Sequence, residues 1–335
     1  MSLTLLGNLT MLTGHSAEAQ TLARRALDIA DSLGDFRLQA QATYTLGVVS
    51  ANAGQYRQAE ESLRTVVGWL DGQPRENFGL PGLPVVTARG FLAGALGEQG
   101  EFAEGITIGQ EAIRLGEVLD NPYGLIWACF CLALAYCARG DLGPAIALLE
   151  RAADLCRVRH VVLFAPRVAG ALGHARALSG RIEEGVVLVE QALRAPESAA
   201  MGGYYALVLA QHAEVCGLAG RAEEALESAQ RAAEVARTRG LRGNEAYALR
   251  LLGDFASHRG SLAAAHEHYW RALALAKELE MRPLVARCHL GLGVLCRHTG
   301  DAGARQHLTT AVGELSRMGM QTWREQAEAE LATLG

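Results

Sequence analysis

Ten histidines and seven cysteines are the residues of this chain best suited to chemistry, and their spacing decides what they can do. His266, Glu267 and His268 form the densest cluster. On a helix, side chains two residues apart point to different faces, whereas a zinc-binding pair needs the i, i+4 spacing of H-E-x-x-H. The triplet therefore reads as a solvated helix face. Cys129 and Cys131 are also two apart and cannot face a common metal, and no C-x-x-C pair occurs. With Cys137, Cys216, Cys288 and Cys296 on apolar helix positions, the thiols read as buried and free in a reducing compartment. Ser, His and Asp are not organised by a G-x-S-x-G elbow, and there is no G-x-x-x-x-G-K-S/T phosphate loop. The expectation is a chain with no catalytic site, cofactor or metal.

Charge narrows the partners. A formal net charge of -5 and a pI near 6.1 supply no basic field for a phosphate backbone, so nucleic acid is excluded as an expected partner. Arg237, Arg239 and Arg242 read as the solvated end of a helix. The most apolar run, LIWACFCLALAYCA from Leu125 to Ala138, falls short of the roughly 18 residues a membrane span needs. It reads as a buried helix. The start, MSLTLLGNLTMLTG, has no basic n-region or cleavage pattern, and the expected location is the cytoplasm.

What must position any binding residues is a repeat. Gly14, Gly54, Gly100, Gly140, Gly180, Gly220, Gly260 and Gly300 recur at 40-residue steps with one interval of 46, and a fixed period of this kind marks a solenoid. Each glycine separates two apolar helical segments and is usually followed five residues later by a small residue, as Gly140 is by Ala145 and Gly180 by Gly185. Small residues let two helices approach, and the turn glycine accepts a conformation costly to a residue with a Cβ. Each unit is thus a helical hairpin, helix A before the glycine and helix B after it. In the eighth unit Ala304 arrives one position early, and Leu308 and Ala311 keep the shifted phase. One residue has been lost from that turn.

The segment LGDFASHRGSLAAAHEHYWRA, Leu252 to Ala272, resembles the tetratricopeptide repeat, and the resemblance extends over essentially the whole chain. It implies an all-α, right-handed superhelix, a single solenoid over residues 1–335. About eight helical hairpins would be followed by a C-terminal capping helix over 321–334. The 40-residue period exceeds the usual repeat length, so either the helices are longer or the B-to-A connections are, for example ADSLGDFR at 30–37. Three further segments, FGLPGLP (78–84), MRPLVARCHLGLG (281–293) and GMQTWREQAEAE (319–330), resemble the C-terminal repeat region of bacterial multidomain signalling proteins. Those proteins carry adenylate or guanylate cyclase domains, or AAA or STAND-type ATPases.

In the tetratricopeptide family helix A lines the concave surface. Carried over by position, the resemblance places there Gln41, Tyr44 and Asn52; Trp127 and Phe130; Arg167 and His174; Glu214; Tyr247, Arg250 and Asp254; and Arg287 and Arg297. Aromatic residues followed by arginines would suit an extended peptide or a helix, with the cations holding its carboxylates. Trp127 and Phe130 could equally be core. Between Gly54 and Gly100 the stretch 71–86, rich in Pro and Gly, is expected to be non-helical. Its Phe78, Leu80 and Leu83 either fold back onto the solenoid or contact another domain or chain.

The first helix carries Leu3, Leu5 and Leu6 with no capping helix before it, although terminal repeats need a polar outer face. This suggests a fragment or a covered end. The expected function is a regulatory module that binds a protein or peptide partner, or other domains of its own polypeptide, through the groove. A free-standing scaffold for peptide segments and a small-ligand sensor are the alternatives, and no membrane partner is expected.

Overall fold

The apolar patterning of the two helix types differs, and that difference builds the molecule. B helices carry a single buried stripe: in the helix Ala222–Arg239 the buried residues are Ala225, Ala229, Ala232 and Ala236, the 3–4 spacing of one face. A helices are buried nearly all round, as in Pro84–Gln99 and Pro122–Arg139. The A helices consequently form an inner layer and the B helices an outer one.

The computed structural model describes residues 3–12, 15–72, 75–80, 82–195 and 204–334, and these contain seventeen α-helices. Hairpin one pairs α1 (Leu3–Leu12) with α2 (Ser16–Leu33), and hairpin two α3 (Phe36–Ala53) with α4 (Tyr56–Leu70). Hairpin three is α5 (Pro84–Gln99) with α6 (Phe102–Val118), and hairpin four α7 (Pro122–Arg139) with α8 (Leu142–Val158). Then come α9 (Ala165–Leu178) with α10 (Ile182–Leu193), and α11 (Tyr205–Leu218) with α12 (Ala222–Arg239). Hairpins seven and eight are α13 (Arg242–His258) with α14 (Leu262–Glu278), and α15 (Arg282–Thr299) with α16 (Ala304–Arg317); α17 (Gln321–Ala332) packs against α16. The fold is an all-α tetratricopeptide-like solenoid. Gly14 and the side chain of Leu5 lie outside the described residues.

The long period is spent on helix. α2 runs to Leu33 and α3 begins at Phe36, leaving only Gly34 and Asp35 between them, so 30–37 is not an extended connection. Asp35 caps α3 by accepting from the amides of Arg37 and Leu38, which allows so short a join. α7 is an 18-residue helix, four longer than its apolar run. It is long and apolar enough to cross a membrane, but 67% of it is buried within the solenoid.

In hairpins two, five and seven the residue seven before the turn glycine meets the residue nine after it. A Cβ on Gly47 would lie 2.8 Å from Leu63, on Gly173 2.7 Å from Val189, and on Gly253 2.6 Å from Tyr269. In the last hairpin the partner of Gly293 is Leu308, eight after Gly300, at 2.6 Å. The lost residue therefore moves the start of α16 without changing how its buried face meets α15.

The interval of 46 holds a shorter irregular segment than the sequence suggests. α5 already begins at Pro84, because proline suits the first turn of a helix, where its missing N–H costs nothing. Phe78 and Leu80 are buried, Leu83 is partly buried against the core, and the Phe78 ring sits edge-on to Phe36 at 6.2 Å. The segment folds back onto hairpin two, so Phe78 and Leu80 present no surface to a partner. Pro81 lies outside the described residues.

Candidate functional site

The superhelix meets itself. The turn of hairpin two touches the start of α13, where a Cβ on Gly54 would lie 2.7 Å from the Gly243 nitrogen. The turn of hairpin three touches Met318 and Pro283, and that of hairpin four touches Thr322 and Trp323 of α17. Each turn thus contacts the chain five hairpins on, with α17 standing for a ninth A helix. Gly54, at φ +85°, is doubly constrained, since a side chain there would strain the backbone and part the seam. Turn glycines Gly180, Gly220, Gly260 and Gly300 have open space around the Cβ position. Polar contacts close the same seam: Arg57 with Glu280 at 3.1 Å, Arg282 with Glu101 at 2.7 Å, and Tyr247 Oη donating to Glu98 at 2.9 Å.

The seam leaves the groove as a partly open cavity of about 180 Å³, room for on the order of ten waters. Seven expected groove residues line it: Asn52, Phe130, His174, Glu214, Tyr247, Arg250 and Arg287. The others lie elsewhere, each for a visible reason. Tyr44 and Trp127 are buried in the core. Trp127 packs on Phe91, Phe130, Phe164 and Tyr204, with centroids 4.7 to 5.9 Å away. Arg167, 1% exposed, is enclosed by that cluster, its guanidinium 4.2 Å from the Tyr204 ring and 5.2 Å from Trp127. Cation–π attraction compensates part of its lost hydration, while burial pulls its pKa down. Asp254 does not line the cavity; it pairs with Arg250 and accepts from Tyr269 Oη at 2.7 Å. Arg297 reaches Glu330 of α17 at 3.0 Å. Gln41 is not among the lining residues.

A charge network forms one wall. Glu214 Oε1 accepts from Arg250 at 3.1 Å and from Arg287 at 3.0 Å, and its Oε2 meets His174 Nε2 at 2.9 Å. Burial alone would raise the Glu214 carboxyl, but Arg250, Arg287 and His174 outweigh it and hold it well below the usual carboxylate range. Arg250 is taken up at both ends, by Asp254 and Glu214. Arg287 gives one nitrogen to Glu214 and places its guanidinium carbon 4.0 Å over the Trp323 ring; burial and the neighbouring Arg250 lower its pKa.

Across the seam, Glu98 stands on α5 with a pKa pushed up to about 7 by burial, opposed only by the hydrogen bond from Tyr247. It has no salt-bridge partner among the described residues. Glu98 occupies the position two before its turn glycine, the same position as Asn52, so that periodicity could have placed it in the groove. Gln211, Asn244, Tyr56, Tyr204, Phe91 and Trp323 add to the polar and aromatic lining. The side-chain oxygen of Gln211 and the indole nitrogen of Trp323 are buried without a hydrogen-bond partner, which is uncommon for buried polar atoms. Trp323 comes from the cap helix, and only superhelical closure brings it here.

All seven cysteines are free. Burial pushes the thiols of Cys131, Cys137 and Cys288 up to about 12, so they are poor nucleophiles and metal ligands. His266 bonds the Trp270 indole at 2.9 Å and His289 Nδ1 meets His307 Nδ1 at 2.9 Å. Among the described residues no group of three His, Cys, Asp or Glu side chains converges on a metal position.

No known family's sequence profile matches the chain, and no curated protein matches it. Solved structures do share its fold. One is a Rap protein complexed with competence and sporulation factor (TM-score 0.67, 15% identity, covering 83% of this chain and 74% of that one). A second is the Rap conjugation gene regulator of plasmid pLS20 with a Phr peptide (TM-score 0.64, 14% identity, 96% of each chain). A third is a STAND signal-transduction ATPase with a tetratricopeptide repeat sensor from Pyrococcus horikoshii (TM-score 0.51, 18% identity, 81% of this chain and 42% of that one). At these identities the likeness establishes the fold alone.

Proposed function

We propose that this chain is a ligand-sensing regulatory module that takes a short peptide or a ligand of similar chemistry into the channel bounded by its seam. The observation that carries this reading is the self-contact of the superhelix. An open groove would accept a helix or a folded partner, whereas the seam leaves a small chamber walled by charge on one side and aromatic rings on another. Ligand pockets of this kind are mostly apolar with a few placed polar groups. Two of the structural neighbours are described with a signalling factor or a peptide bound, which supports a peptide-like ligand, and a third is described as carrying a repeat sensor.

The bound state is passed on through the seam. A ligand that favours the closed over the open superhelix shifts the population between them, and the outer B helices then present a changed surface to a protein partner or to output domains of the same polypeptide. The resemblance to repeat regions of bacterial cyclase- and STAND-type signalling proteins supports that second role. A thermal-shift screen of pooled short peptides tests the reading. Hits should raise the Tm, and Gly94→Leu should abolish them. Gly94 lines the cavity, and its added Cβ would meet only Cys131, at 3.4 Å. Hits that survive Gly94→Leu would move the site out of the channel, to the reading in which a free-standing scaffold binds peptide segments on another surface.

A further inference from the structure

Two ionisable groups on the cavity wall are only partly satisfied by the protein, and they are of opposite charge. Arg287 uses one of its nitrogens, on Glu214, and its guanidinium carbon sits 4.0 Å over the Trp323 ring. A guanidinium has five N–H donors in a planar fork suited to a carboxylate. Arg250 cannot serve in its place, because Asp254 and Glu214 already occupy it. Glu98 receives one hydrogen bond, from a phenol, and its second oxygen has no partner among the described residues. The same cavity is lined by the apolar or aromatic side chains of Phe91, Phe130, Leu207 and Tyr204.

Resting on the channel reading above, we propose that the ligand is a small zwitterion with an apolar body, its free ammonium on Glu98 and its carboxylate on the open side of Arg287. A dianion would meet the Glu98 and Glu214 carboxylates, and a simple cation would leave Arg287 unanswered. A ligand charged at both ends satisfies each wall and neutralises itself within a low-dielectric chamber, where unpaired charge is costly. Free amino acids and short peptides with unblocked termini both have this chemistry, and length separates them. Because Trp323 belongs to α17 and Glu98 to α5, such a ligand would bridge the two sides of the seam.

The test is titration calorimetry on the whole 335-residue chain. The probes are leucine, dileucine, trileucine and pentaleucine, each free, N-acetylated or C-amidated. One length should bind best when free, and each cap should weaken it about ten- to a hundred-fold, the worth of one hydrogen-bonded charge. Glu98→Gln should erase the N-acetyl penalty alone, and Arg287→Met the C-amide penalty alone, with helicity unchanged by circular dichroism. Should Arg287→Met unfold the chain, Arg287→Lys, which keeps charge but loses the fork, should reduce that penalty without removing it. Equal binding of free and capped probes, abolished by Gly94→Leu, would overturn the zwitterion and leave the channel reading standing. Absence of binding by every probe would also overturn it, and the channel would then stand or fall on the pooled screen.

Discussion

Replacing Glu214 by Gln removes the one carboxylate among the described residues that forms a salt bridge to both Arg250 and Arg287. Its side chain is 19% exposed and it answers three cationic or potentially cationic groups within 3.1 Å. Breaking a buried ion pair from one side costs roughly 3–5 kcal/mol, because the remaining charge stays buried. The oxygen retained by Gln argues for the lower end, ~3 kcal/mol. Unfolding entropy near 2.1 cal/mol/K per residue gives about 0.7 kcal/mol/K for this chain, so the Tm should fall by about 4 °C if it unfolds as one unit, and further if it unfolds in blocks. Thermal melts followed at 222 nm measure this, with Glu223→Gln as the control. Glu223 is 80% exposed in its pair with Arg259, and such surface pairs contribute about 0–1 kcal/mol. The acid limb gives a second readout. A carboxyl held below its ordinary value contributes stability above that value and loses it as pH falls through the folded pKa, so the variant should lose part of its acid sensitivity. A Tm drop no larger than the control's would refute the claim that this network is a buried, mutually dependent unit.

Arg167→Lys should cost about 1–3 kcal/mol, read by urea unfolding, because an ammonium cannot lie flat among the three rings around it. His160, exposed and left-handed at φ +54°, should gain stability on replacement by Gly; the relieved strain of ~1–2 kcal/mol exceeds the extra entropy of the unfolded glycine by a few tenths to about 1. Gly54→Ala should loosen the seam where Gly220→Ala does not, seen as faster amide exchange in the first turn of α13 in the former only. For His289, burial, His307 and Lys277 lower the pKa from 6.5 to about 4. Between those values the unfolded chain binds a proton that the folded chain does not, so stability should decline as pH falls from 6.5 toward 4. His289→Phe should flatten that part of the melting profile.

The period was written in the sequence because it is a local matter. A turn glycine and the small residue five after it depend only on neighbours along the chain, and they specify hairpins whatever the rest does. Even the missing residue before Ala304 was legible, since hairpin packing tolerates no change of phase. A second row was only half announced: the B-to-A turns are left-handed at Gly34, Gly240 and Gly319, but Asp120, His160 and Glu280 take the same conformation without a glycine. Superhelical closure lay beyond sequence reading altogether. It accumulates from small rotations at each joint, and only their sum brings Gly54 against Gly243, Glu98 to Tyr247 and Trp323 beneath Arg287. The resemblance to tetratricopeptide repeats pointed to A helices as the chief carriers of lining residues, and Asn52, His174 and Glu214 are such residues. Tertiary structure decided which of those residues face a chamber, which, like Trp127 and Arg167, are buried in the core, and that the groove has a far wall at all.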